Sequence, residues 1–175
     1  MIEIGPVTAK DVTAIARLAR SVWQDAYAGI ISQQQIDYML EQRYNAARLL
    51  AELATPVICW EQIRVDGALA GFASTQPGNA AGETKLDKLY IDPTRQRLGL
   101  GGRLIAHVSA RALAQGGHTL LLAVNKSNER AIAAYRKNGF AIRDAVCVEI
   151  GDGFVMDDFI MAKSLLAPAS PTMAA

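Results

Sequence analysis

Apolar and polar positions alternate in "IEIGPV" (2–7), which predicts a first strand, and the period then changes. Val12, Ile15, Ala19, Val22, Trp23 and Ala26 recur at helical spacing, predicting a helix from about Lys10 to Tyr27 that Gly29 breaks. Thr8 with Asp11 three residues on resembles a capping box in which Asp stands in for Glu. Ser32 is placed to cap a second helix carrying Ile36, Met39 and Leu40, and a third, Asn45 to Leu53, ends before Pro56. "PVICWEQIRV" is rich in strand formers, Asp66-Gly67 is a hairpin turn signal, "ALAGFAS" is the returning strand, and 76–83 reads as loop.

The next strand, "TKLDKLYID", slips. Leu86 lies three residues before Leu89, whereas Leu89 and Ile91 keep the two-residue period. Placing all three on one face requires one extra residue, a β-bulge near Asp87-Lys88; burial of both faces is the alternative. Glycines 99, 101 and 102 then precede a helix to about Gln115, whose apolar face carries Leu100, Leu104, Ile105, Val108 and Ala112 and which Gly116-Gly117 end. "HTLLLAV" is almost wholly apolar, as expected of a strand covered on both sides. Asn128 to Asn138 predicts a helix closed by Gly139, and "FAIRDAVCVEI", "GDG" and "FVMDDFIMAKSL" read as strand, turn and last strand. The alternation predicts one α/β domain over 1–166, with 167–175 a disordered tail of small residues and proline.

Composition narrows the class. Of 175 residues, 51% are hydrophobic and 20% charged, enough for a core without disulfides or metal. A net charge of +1 lacks the basic surplus of a general nucleic-acid binder. Cys59 and Cys147 lie in apolar runs and are expected to be buried free thiols, as in a reducing cytosol. The N-terminus lacks the pattern of a signal peptide, and no apolar run approaches the roughly 20 residues of a membrane span. A soluble cytoplasmic protein is expected. His107 and His118 are isolated, and no metal site is expected.

The glycine turn is the main chemical signal. It is not a Walker A loop, because Arg103-Leu104 stands where Lys-Ser/Thr is needed. It is not a dinucleotide loop, because Leu104 stands where the third glycine is needed. What remains is a helix N-terminus with free N–H groups and no side chains at Gly101 and Gly102 to block an anion; a plain tight turn is the alternative.

Gln96-x-x-Gly99-x-Gly101 after "LYIDP" resembles the acyl-CoA pyrophosphate loop of the GNAT superfamily of N-acetyltransferases. "NERAIAAYRKNGF" (128–140) resembles that family's second signature, and the two motifs stand in order, one strand and one helix apart. The resemblance covers nearly the whole chain except the tail. "DFIMAKSL", "KLDKLYIDP" and "SVWQDAYAGIIS" are similar to the small-molecule branch that includes polyamine acetyltransferases. The resemblance implies a mixed, mostly antiparallel sheet of six to seven strands, helices on both faces, and a bulged, splayed central strand pair.

It also implies roles. Acetyl-CoA is the expected co-substrate, its pyrophosphate held by the backbone of Gln96, Arg97, Leu98, Gly99, Leu100, Gly101 and Gly102. The family usually has glycine at the position of Arg97 and a basic residue at that of Leu98, departures that a site built on backbone amides tolerates; Arg95, Arg97 or Arg103 are candidates to neutralise phosphate charge. The Leu89–Tyr90–Ile91 segment matches the strand that pairs with the pantetheine arm, with the Leu89 N–H as candidate oxyanion donor. Asn128 is a candidate for the pantetheine amide, alongside a role as helix N-cap. Tyr135, whose phenol is protonated at neutral pH, is the expected general acid and a candidate contact of the cofactor. Relatives in the branch often carry Glu where this chain has Lys85, leaving Asp87 and Glu83 as candidates for the base. Trp23 and Tyr27, one turn apart, are candidates for an aromatic acceptor wall or for core, and Asp87 is a further substrate-site candidate. Asp25, Asp37, Glu41, Asp152, Asp157 and Asp158 together would favour a cationic amine, though scattered surface acids are the plainer reading. The expected function is acetyl transfer to a primary amine of a small molecule, a polyamine being one option. The rivals are a protein N-terminal or lysine acetyltransferase and a CoA-binding regulatory module without turnover. No nucleic-acid or membrane partner is expected, and a homodimer is compatible with the sequence.

Overall fold

The computed structural model describes residues 1–166; the expected tail lies outside them. Seven strands form one sheet: β1 (Ile2–Pro6), β2 (Cys59–Val65), β3 (Ala68–Pro77), β4 (Glu83–Ile91), β5 (Thr119–Asn125), β6 (Ala141–Gly151) and β7 (Phe154–Ser164). Their order is β1-β2-β3-β4-β5-β7-β6, and every neighbouring pair is antiparallel except β4–β5. This is the mixed, mostly antiparallel sheet that the resemblance implies.

Five helices cover the two faces. α1 (Val12–Tyr27), α2 (Gln33–Tyr44) and α3 (Ala46–Leu53) bury Ile15, Val22, Trp23, Ile36 and Leu49 against Trp60 and Phe72. α4 (Leu100–Ala114) and α5 (Glu129–Lys137) cover the other face, where Leu104, Val108 and Ile132 meet Ala73, Leu120, Leu122 and Met161. The starts follow the cap residues: Ser32 Oγ accepts from the Gln35 N–H, and Asn45 Oδ1 from the Arg48 N–H. The first helix opens differently from the single run expected. Ala9–Asp11 is a 3-10 turn, closed by the Asp11 carboxylate accepting from the Thr8 N–H and hydroxyl, and α1 proper begins at Val12. Asp66 and Gly67 both take positive φ, as a two-residue hairpin turn requires. β3 runs on to Pro77, so the loop before β4 is shorter than 76–83.

The slip in β4 is a bulge. Ser74 pairs with Lys88 and Thr75 with Leu86, leaving Asp87 as the extra residue. Leu86, Leu89 and Ile91 therefore pack on the α4 side, while Tyr90 packs among α1–α3. The thiol expectation fails. Cys147 is exposed, because β6 is an edge strand with most of its residues open to solvent, and Cys59, at the start of β2, is only half-buried. Among the described residues no helix is long and apolar enough to cross a membrane.

Candidate active site

β4 and β5 pair only at Glu83–Thr119, Thr84–Leu120 and Lys85–Leu121. From Leu86 onward the β5-facing edge of β4 has no strand partner, although β4 stays paired with β3 as far as Ile91 and β5 with β7 as far as Asn125. The bulge at Asp87 turns β4 away where the parting begins. An unpaired strand edge inside a sheet offers backbone donors and acceptors to an extended ligand.

Beyond β4, the chain passes a 3-10 turn (Pro93–Arg95) and enters α4 at Gly99, whose φ is +74°. Arg97 also has a positive φ. A side-chain carbon added at Gly101 would meet only Ile91 Cγ1, at 3.7 Å, so the N-terminus of α4 is open to an anion beside the parted strands. Leu98 points to solvent and Leu100 into the core, so neither side chain occupies the opening at the turn. Gln96 is held on the protein itself: its side chain donates to the Ile91 carbonyl at 3.3 Å and accepts from Arg130.

At the far end of the parting, the loop after β5 faces the end of α1 across a cleft of about 330 Å³, lined by Asp25, Ala26, Ile30, Ser127, Asn128 and Arg130 among others. Asn128 caps α5, its Oδ1 accepting from the Ala131 N–H at 3.2 Å. Arg130 spans this region, bonding Asp25 at 3.0 Å as well as Gln96. Nothing in the sequence singles out Arg130 except its place two residues after Asn128.

Tyr135 is half-buried on α5, with its ring edge-on to Phe140. Burial pushes its phenol pKa well above the usual value, and the neighbouring Tyr90 adds to the effect. Tyr27 lies close enough to feel Tyr90, Tyr135 and Asp158 in turn. Trp23 and Tyr27 stack at 4.4 Å and are 2% and 9% exposed, in contact with the core around Tyr44 and Tyr90. They are core residues whose outer edge reaches the tyrosine cluster.

Asp87 lies among cations: Arg43 at 2.5 Å, and Lys85 and Lys88 at 2.8 Å each. Burial would raise its pKa, but these three charges outweigh burial and hold the carboxyl far below the ordinary range. Such a carboxylate is a poor proton acceptor and a firm anchor for the bulge. Glu83 bonds Arg143, at the closed end of the β4–β5 pair. Because the folded pKa of Asp87 is depressed, the stability it contributes is complete above the ordinary value of about 3.9 and is lost as pH falls toward the folded value. Denaturation midpoints from pH 5 to pH 2 are therefore expected to fall more steeply in wild type than in Asp87→Asn. Parallel slopes would remove Asp87 from the acid response.

Among the described residues, no group of three His, Cys, Asp or Glu side chains is arranged to hold a metal ion.

Known proteins share this architecture. Spermidine N(1)-acetyltransferase of Thermoplasma acidophilum is 28% identical over 166 residues, covering 93% of this chain and 96% of that one. The [ribosomal protein bS18]-alanine N-acetyltransferase of Escherichia coli is 39% identical over 79 residues, 45% of this chain and 52% of that one. The crystal structure of the PaiA N-acetyltransferase of Thermoplasma acidophilum in complex with coenzyme A superposes with a TM-score of 0.81 at 27% identity, covering 94% and 99% of the two chains. The acetyltransferase (GNAT) family model matches residues 15–140. With the parted β4–β5 pair, the open N-terminus of α4 and these matches together, the chain belongs to the GNAT family of acetyltransferases, acyl-CoA-dependent enzymes for which acetyl-CoA is the co-substrate.

Proposed function

We propose that the protein acetylates a primary amine of a small molecule, with a polyamine as the leading acceptor class, by direct attack of the amine on the thioester of acetyl-CoA. The parting of β4 and β5 supports this reading, because it leaves a strand edge free beside an open helix N-terminus, with Tyr90 of β4 near enough to Tyr27 to influence its hydroxyl. The small-molecule acceptor is supported by the similarity to the spermidine enzyme, which spans nearly the whole of both chains.

The backbone of residues 96–102 binds the pyrophosphate, and the free edge at Leu89–Ile91 pairs with the pantetheine arm. The Leu89 N–H, just past the bulge, stabilises the negative charge that builds on the carbonyl oxygen. The amine nitrogen forms the new bond to the carbonyl carbon, the carbon–sulfur bond breaks, and the electron pair leaves on sulfur. Tyr135 donates its phenolic proton to that sulfur and regains one from the nitrogen of the new amide.

Two measurements test the assignment. Calorimetry should show acetyl-CoA binding, and a free-thiol assay over polyamines, amino acids, aminoglycosides and peptides should show thiol release with small cationic amines. Release with peptides alone would transfer the function to protein acetylation. Binding without release over the whole panel would leave a regulatory module.

A further inference from the structure

The reaction still needs an acceptor for the proton of the incoming ammonium, since a protonated amine has no lone pair with which to attack. The two carboxylates that the sequence suggests are committed elsewhere: Asp87 to three cations and Glu83 to Arg143. We propose that Asp158, on β7, binds the acceptor's ammonium group and takes its proton before attack.

The inference rests on the acetyl-transfer reading above and on the placement of this one side chain. Asp158 pairs in register with Asn125, the last residue of β5, so it lies where β5 runs out beside the parted strands. It is near enough to Tyr27 to influence that hydroxyl, as are Tyr90 and Tyr135. Asp158 and the proposed general acid Tyr135 therefore both lie within reach of Tyr27. Its neighbour Asp157 is ion-paired with Lys126, whereas Asp158 has no ion pair among the described residues. Among the described residues, Asp158 Oδ1 is enclosed without any hydrogen-bond donor, while the residue as a whole is only half-buried. An enclosed carboxylate oxygen without a donor favours protonation. Four ionisable groups lie near enough to influence it: Asp157 from its own strand, Lys126 from the loop after β5, Lys85 from β4 and Tyr27 from α1. Burial and the charge of Asp157 raise its proton affinity, and the two lysines oppose them without cancelling the rise. This is the opposite setting from Asp87.

In the balanced step, the ammonium N–H bond breaks, its electron pair stays on nitrogen, and the proton passes to the Asp158 carboxylate. The free amine then attacks, and protonated Asp158 returns its proton to water after turnover. One proton is released per amide formed.

The test is Asp158→Asn, which keeps the shape and removes the base. At pH 7, kcat/KM for a strongly basic primary amine should fall about 10²-fold while the Kd of acetyl-CoA is unchanged. The deficit should shrink as pH rises toward the amine's own pKa, about 10.4 for a lysine-like amine, and should be small at pH 7 for a weakly basic acceptor. Asp158→Glu should recover part of the rate. Wild-type enzyme gives the same reading without a variant, since its preference for weakly basic over strongly basic acceptors should grow as pH falls through the pKa of Asp158. Equal rates for wild type and Asp158→Asn would overturn the assignment, as would a deficit independent of pH and of acceptor basicity. Wild type that binds acetyl-CoA but releases no thiol with any amine would instead overturn the acetyl-transfer reading, and this inference with it.

Discussion

Tyr135→Phe is expected to lower kcat by about 10²-fold, with little change in the Kd of acetyl-CoA or in Tm. The substitution removes one oxygen and keeps the ring against Phe140 and the α4-side core, so packing is preserved. The raised phenol pKa at first argues against the role: an ordinary thiol has a pKa of about 8.5, so complete transfer from an even weaker acid is uphill. The comparison changes once both groups sit in the same enclosure. The desolvation that disfavours the phenolate also disfavours the departing thiolate and raises its proton affinity. A phenol that is fully protonated across the working pH range also supplies a hydrogen bond to the developing charge before any proton moves. The kcat–pH profile of the wild type should therefore show no limb from Tyr135 below about pH 10. Steady-state thiol release with saturating acetyl-CoA decides the matter, and an unchanged kcat would exclude Tyr135 as the acid.

Lys88→Met is expected to destabilise the protein by about 3 kcal/mol, the lower end of the cost of breaking a buried ion pair. At roughly 2–4 °C per kcal/mol for a chain of this size, Tm should fall by about 6–12 °C. Lys88 is 2% exposed, and its ammonium lies 2.8 Å from both Glu52 and Asp87 and 5.1 Å from the Trp60 ring centre. Methionine fills similar space but leaves two buried carboxylates short of a cation. Arg48 on Glu52, with Arg43 and Lys85 on Asp87, limits the loss, which is why the lower end applies. Glu52→Met with Lys88→Met should cost less than the sum of the single changes. Thermal melts of the three variants settle this, and strict additivity would mean that the contact carries no coupling.

Local geometry is legible in the sequence where one residue decides it. Ser32 and Asn45 mark helix starts by their hydrogen-bonding side chains, and the three-residue step from Leu86 to Leu89 marks a bulge because a strand has only two faces. The open turn before α4 was legible because glycines 99, 101 and 102 mark a helix N-terminus without blocking side chains, whereas its link to a cofactor came from the resemblance. Charge partners were not legible. Asp87 looked like a free carboxylate because Arg43 is 44 residues away in sequence and reaches it only through the packing of α2 on the sheet. Lys88 gave one faint sign: if Leu89 faces one side, Lys88 faces the other, and here that side is core. Cys147 misled because "AVCVEI" has a core-like composition, yet edge position is a property of strand order, which local pattern does not encode.

The parting of β4 and β5 also has a hydration consequence. Backbone groups along that seam cannot stay dry and unpaired at a tolerable cost, so in solution they must be wetted before a ligand arrives. If the pantetheine arm binds there, as proposed, it exchanges water partners for amide partners, a trade worth only about 0.5–1.5 kcal/mol per hydrogen bond. The seam thus aligns the thioester more than it holds it. With the charged end of the donor at α4, as proposed, the tight grip would fall there, and release of spent coenzyme should respond to salt more than to changes along the strand edge.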